Sequence, residues 1–383
     1  MMDSNAPYAL TATDGAARLG TLTTAHGTVP TPTFMAVGTH GAVRACQPSE
    51  VEAAGVDIVL ANTYHLACRP GIEHIEEVGG LHAFMGWEGP ILTDSGGYQA
   101  LSLSHLSTIS DEGIVFVSPY DGSKLFLSPE DAVQLQERYG SDIIMCLDHP
   151  ALFGSSDAAI LATMHRTHAW AARSIAAHRS GTGLLFGIVQ GGYAAATRKE
   201  SAEALAALPF DGLAIGGLSV GEPHELMIEL TRTVTDAIPA TTARYFMGLG
   251  SDRELLALIA QGVDMFDCVA PTRLARHGVA YTPHGTITLK QARFRTDHTP
   301  LVEGCPCPAC TTCTRSYLRH LFNVQDILAH RLVSLHNLTH LARLMADVRT
   351  AIGEHRFASF HAERIAMLDE GTPERAVPEA THA

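Results

Sequence analysis

Short apolar segments recur along the chain, each closed by a polar or glycine-rich turn. They cover residues 33–37, 57–61, 91–94, 143–148, 185–190, 213–217, 245–248 and 265–269. Most are continuous apolar runs and do not alternate, the pattern of strands buried on both faces in a parallel sheet covered by helices. Helical stretches lie between several of them. Ser128-Pro129-Glu130-Asp131 sets a cap, a proline and two acids before a helix that runs to Gly140. Residues 156–178, 194–208, 222–238 and 252–260 read as further helices. A strand–helix alternation repeated eight times predicts an α/β fold of the (β/α)8 TIM-barrel type. A doubly wound open sheet is the runner-up, weakened because no Gly-x-Gly-x-x-Gly follows the first strand. One insertion, residues 114–128, has two β-rich halves around Asp121-Gly122, a hairpin turn signal.

The expected organisation is a barrel over residues 1–290, a cysteine-rich subdomain over 291–336, a helix completing the barrel over 337–365, and a disordered tail over 366–383. The start of the chain lacks a basic segment and an apolar run, and no stretch approaches the length of a membrane helix, so a cytoplasmic protein with no membrane partner is expected.

Charge changes this picture locally. The net charge of −14 argues against a nucleic-acid partner. Between Pro271 and Arg331, however, eight basic residues face three acidic ones. That stretch is either a solvated basic face or a footprint for phosphates.

The strand ends carry the candidate chemistry, because active sites of this fold lie at the C-terminal mouth of the barrel. Asp94, Asp148, Gln190, Gly217, Met247 and Asp267 occupy those positions. One acid there is as readily a structural cap as a catalyst; three acids and an amide from separate strands are hard to explain structurally. Two close carboxylates suit displacement at a sugar carbon. Asp and Gln also match the donors and acceptors on a purine edge, and the turns at Asp94–Gly97 and Gly216–Leu218 let a ligand approach the backbone.

Four of the eight cysteines crowd into nine residues: Cys305, Cys307, Cys310 and Cys313. Such a cluster in a chain without a signal peptide reads as a metal site. Zinc needs four ligands. Three are Cys305, Cys307 and Cys310; the fourth is Cys313 by proximity, or a histidine among His320, His330, His336 and His340.

In combination, several segments are highly specific. They are NTYHL (62–66) with RPG (69–71), TDSGGYQ (93–99), DGSK with LSPE (121–130), FGIVQGG (186–192) and GGLSVGE (216–222). MGLG (247–250), GVDMFDCVAPTR (262–273), CPCPAC (305–310) and HNL (336–338) continue the series. On these the chain resembles the tRNA-guanine transglycosylases from about residue 33 to about residue 360, in the bacterial form of the family. The resemblance implies a barrel with an inserted zinc subdomain and an exchange of the wobble guanine of GUN anticodons for 7-aminomethyl-7-deazaguanine. It implies Asp267 as the nucleophile that holds the ribose covalently and Asp94 as general acid/base. It places Asp94, Asp148, Gln190, Gly217 and Leu218 on the base edge and has Tyr98 and Met247 sandwich the ring. It further assigns Arg273 and Arg276 to anticodon phosphates, His336 as fourth ligand of one structural zinc, and a homodimer.

Departures from the family pattern carry expectations of their own. His149-Pro150 follows Asp148 where the family often has an acid, and is expected to bear on base recognition or pH dependence. PTRLARHG replaces a segment that usually contains glycine after PTR, and bears on the tRNA contact. Val220 is the bacterial choice, its bulk excluding the cyclopentenediol of queuine. The chain is short of the extra domains of the archaeal branch. Three other readings compete: a queuine-inserting enzyme of eukaryotic type, a non-catalytic tRNA-binding paralogue, and a barrel glycosidase. Retention of both Asp94 and Asp267 speaks against the paralogue, and a glycosidase would leave the cysteine cluster and basic insert without a role.

Overall fold

A computed structural model describes residues 6–102 and 106–371. Eight parallel strands close into a barrel, here labelled β1 (Thr33–Val37), β2 (Val59–Asn62), β3 (Ile91–Asp94), β4 (Ile143–Met145), β5 (Leu184–Val189), β6 (Gly212–Ile215), β7 (Ala243–Phe246) and β8 (Met265–Cys268). Each expected apolar segment supplies one strand. Their spatial order follows the sequence, and β8 returns to pair with β1 (Phe266 opposite Phe34). The continuous apolar runs are explained by burial on both faces. Met35, Leu60, Leu92, Met145, Phe186, Tyr245 and Met265 fill the barrel, while Val189, Leu213 and Phe246 pack outward against helix residues such as Leu205, Leu230 and Ile259.

The helices start where the side chains permit. Ser128 accepts from the Asp131 N–H while Asp131 returns a bond to the Ser128 N–H, a capping box at the head of helix Pro129–Tyr139; Gly140 ends it in a left-handed turn. Ser156 caps Asp157–Ala177 and Ser251 caps Asp252–Ile259. The 114–128 insertion forms the expected hairpin, Ile114–Val117 with Lys124–Leu127, and a third strand, Ser107–Ile109, joins it. Ile114, Phe116 and Leu127 bury themselves against Tyr64, Leu147 and Trp170, which places this small sheet beside the C-terminal ends of β2 to β4.

Two parts go beyond the sequence expectation. An antiparallel sheet, Tyr8–Asp14, Ala17–Thr24 and Gly27–Thr31, covers the N-terminal end of the barrel. Tyr8, Leu22 and Val29 join the barrel interior, and the Tyr8 hydroxyl and Arg18 guanidinium meet Asp264 just before β8 at 2.9 and 3.2 Å. On the same floor Asp142 accepts from His26 Nδ1 (2.9 Å) and His82 Nε2 (3.1 Å). The two rings are stacked 3.6 Å apart. In near-parallel planes they address separate carboxylate oxygens, the arrangement of two hydrogen bonds to one anion.

The C-terminal region also differs in its divisions. A single helix, Ile327–Gly353, runs from the cysteine-rich region onto the barrel, so the expected boundary between residues 336 and 337 falls inside one rod. A second helix, Phe357–Glu370, extends into the stretch expected to be a tail; residues 372–383 of that stretch lie outside the described residues. Among the described residues no helix is long and apolar enough to cross a membrane.

Candidate active site

Parallel register brings the strand ends to one level, so residues far apart in sequence meet at the C-terminal mouth. Asn62 closes β2 directly opposite Asp94 at the end of β3. Asn62 accepts from the His65 N–H at the head of the next helix and donates its amide to Asp94 Oδ2; the Thr63 N–H donates to Oδ1 at 3.0 Å. Burial pushes the Asp94 carboxyl up to about 7. The Thr63 and Gly96 N–H groups oppose that rise, and the charges of Asp267 and Asp148 add to it. Asp94 therefore feels the acid in β8 and the acid that follows β4, and it is poised to hold or release a proton near neutrality.

Asp148 follows β4 and is buried. It accepts from the Gln190 amide at 2.7 Å and from the Ser95 hydroxyl at 3.4 Å. Burial raises its carboxyl to about 6, with the Gln190 and Ser95 bonds pulling the other way. Gln190 in turn lies against the turn after β6. A Cβ on Gly216 would stand 2.6 Å from the Gln190 amide nitrogen, and one on Gly217 2.4 Å from its oxygen; Gly217 also has φ +66°. Only glycine lets the two loops close this tightly. Leu218 beside it is buried. Met247 is half-buried after β7, and Tyr98 is largely exposed on the helix Gly97–Ser102 that begins just after Asp94.

Asp267, in β8, is held by two donors on one oxygen. The Tyr245 hydroxyl lies at 2.6 Å and the Gly248 N–H at 2.9 Å. Burial raises its carboxyl above the ordinary range, and both bonds counter that rise, so they favour the anion. A cleft of about 410 Å³, lined by Ser219, Gly248, Cys268 and Tyr281 among others, flanks Asp267 without containing it. Past β8, Arg273 is exposed on the helix Ala270–Arg276. Burial and then the like charges of Arg44 and Arg273 lower Arg276, so three guanidinium groups share a neighbourhood that favours an anion.

The metal cluster resolves the open ligand. Cys305, Cys307, Cys310 and His336 bring their ligand atoms within 4.8 Å of one another, and Cys313 is outside the group. His336 Nδ1 faces the three sulfurs at 3.8, 3.3 and 3.3 Å. Tetrahedral zinc with ordinary Zn–S and Zn–N lengths sets that separation at about 3.6 Å. The other ring nitrogen, Nε2, meets the Tyr281 carbonyl at 2.8 Å, which fixes the proton there and leaves Nδ1 free as a ligand. These residues fit a closed, four-ligand metal site.

His149 packs against the helix Asp157–Ala177. Its ring stacks on Trp170 and meets Arg166 at 2.9 Å. Burial, reinforced by Arg166, lowers it to about 4, so it stays neutral around pH 7. The geometry adds residues that sequence reasoning missed: Tyr245, Arg44 and Arg198, with Asn62 known only as part of a motif. Of these, Tyr245 left one signal, a hydroxyl at the head of the apolar run 245–248.

Comparison with known proteins shows the family. The family described as "Queuine tRNA-ribosyltransferase" matches residues 13–370. A queuine tRNA-ribosyltransferase of Thiobacillus denitrificans is 48% identical over 355 residues, covering 93% of this chain and 97% of the relative. One from Solidesulfovibrio magneticus is 48% identical over 371 residues, covering 96% and 100%, respectively. One from Pseudomonas putida is 46% identical over 353 residues, covering 92% and 95%.

Proposed function

The chain belongs to the queuine tRNA-ribosyltransferase family, whose activity is tRNA-guanine transglycosylation in queuosine biosynthesis, and from that premise we propose how its residues divide the work. The observation that carries the reading is the convergence of Asp94, Asp148 and Asp267 on one mouth, with one oxygen of Asp267 accepting from Tyr245 and Gly248. Asp267 attacks the anomeric carbon of the wobble nucleotide from the face opposite the base. The C–N bond breaks, the ribose is held as an ester of Asp267, and the departing guanine takes a proton from Asp94. The incoming base gives a proton back to Asp94 and displaces Asp267. A carboxyl poised near 7 suits both directions of that transfer. The target nucleotide must leave its stack to reach the mouth.

Asp148 and Gln190 grip the polar edge of the base, assisted by the backbone of Gly217 and Leu218, while Tyr98 and Met247 cover its faces. Arg273 and Arg276, with Arg44 beside them, take anticodon phosphates. Val220 selects 7-aminomethyl-7-deazaguanine over queuine by bulk. The metal of the Cys3His site is zinc, and its role is structural, since four protein ligands leave no open position.

The working unit is a homodimer in the cytoplasm. Exposed Val324 and Ile327, at the turn between two helices near the metal site, offer an apolar patch for the second copy. Sedimentation velocity at micromolar concentration should give a dimer; a monomer speaks against this part.

Asp267→Ala tests the reaction itself. The variant should fold, bind unmodified tRNA, and form no adduct that survives denaturation, whereas the parent protein traps tRNA on the chain. An adduct in the variant would remove Asp267 from the role of nucleophile.

A further inference from the structure

Arg198 sits in the helix Ala195–Ala206 and is entirely buried. Among the described residues no carboxylate touches its guanidinium, and Glu222 acts on it only through its charge. It donates instead to four backbone carbonyls: Gly192 (2.7 Å), Val189 (3.1 Å), Gly216 (2.7 Å) and Gly217 (3.2 Å). Two of these belong to the turn after β5 and its strand, which carries Gln190, and two to the turn after β6. An unpaired buried cation is expensive, and burial lowers this one to about 10. Stitching two loops together would be cheaper with a neutral side chain, so the choice of arginine calls for a reason.

The peptide plane supplies it. In a trans peptide the C=O of one residue and the N–H of the next point in opposite directions. Arg198 holds the carbonyls of Gly216 and Gly217. The N–H groups of Gly217 and Leu218 are thereby turned away from Arg198. Among the described residues neither has a hydrogen-bond acceptor, although Leu218 is buried. Gln190 stands against the same turn, close enough that Gly217 tolerates no Cβ. Two unpaired N–H groups beside a base-binding amide form a donor pair suited to a carbonyl oxygen.

We propose that Arg198 is a positioning residue that turns the Gly217 and Leu218 N–H groups onto the 6-oxo group of the purine. This rests on the base site proposed above. Through its two carbonyl bonds Arg198 sets discrimination for a 6-oxopurine, while Asp148 reads the neighbouring N–H edge.

Arg198→Lys keeps the charge but cannot span four carbonyls. Its test compares inhibition of labelled-guanine exchange by unlabelled guanine and by 2-aminopurine, which lacks the 6-oxo group. The variant should lose about tenfold of the preference for guanine, roughly the share of one or two hydrogen bonds. The altered ring N1 of 2-aminopurine is common to both proteins and cancels in the ratio. Equal weakening of both bases, or an unchanged preference, overturns the proposal, since general loosening of the loops has no reason to distinguish them. If the parent protein exchanges no guanine at all, the proposed function fails rather than this inference. Should Arg198→Lys fail to fold, crystals of the parent soaked with guanine decide. The 6-oxo group must then lie within hydrogen-bond distance of the Gly217 or Leu218 nitrogen, with Arg198 still on both carbonyls. An oxygen placed elsewhere overturns the assignment.

Discussion

Tyr245 shows how one hydroxyl tunes an acid. Its bond to Asp267 favours the carboxylate against the penalty of burial. Loss of a hydrogen bond to a charged group is worth about 1.4 kcal/mol or somewhat more, roughly one pH unit. The sign follows: without the bond Asp267 holds its proton to higher pH. In Tyr245→Phe the acid limb of the kcat/KM profile should therefore move upward by about one unit. An unmoved limb would mean that it reports some other group. The three acids, Gln190 and the metal cysteines were legible in the sequence, because a charge or thiol stands out against an apolar strand or a short loop. Asn62, Tyr245 and Arg198 were less so. Their effect lies in which atom they face, and that is set by packing across strands rather than by neighbours in the chain. Proximity likewise favoured Cys313 as fourth ligand, yet the ring that arrives is His336, from a helix that sequence distance conceals.

At the level of elements, all eight barrel strands were readable, because burial on both faces leaves continuous apolar runs that few other settings produce. The capped helices were readable for a similar local reason. Ser128 and Asp131 satisfy each other's N–H groups at the head of Pro129–Tyr139. Ser128→Ala should cost about 1 kcal/mol in a denaturant titration and leave exchange activity within about twofold. A cost near zero would show that packing of Val133 and Gln136 fixes this helix without its cap. The N-terminal sheet was not read, since its alternating burial gives a weaker signal than the barrel strands do. What holds it in place is equally hidden: Tyr8 and Arg18 reach Asp264 from more than two hundred residues away.

On the scale of the whole molecule, the helix Ile327–Gly353 ties three regions together. Near its middle His336 joins the cysteines, and Asn337 bonds to the backbone of Tyr281, Pro271 and Val279. Further along, His340 meets Asp252 at 2.8 Å, and Arg349 donates to the Pro32 carbonyl just ahead of β1. The metal cluster is thus fastened to the same rod that closes the barrel between its last and first strands. Stripping the ion with a chelator should lower the thermal midpoint of the entire chain in one cooperative step. Two separate transitions, with the barrel melting at its original temperature, would contradict this. A cell short of the ion would then lose competent molecules rather than turnover per molecule: the ion would act as an upper limit on how much enzyme exists, and the tRNA left unmodified would record that shortage.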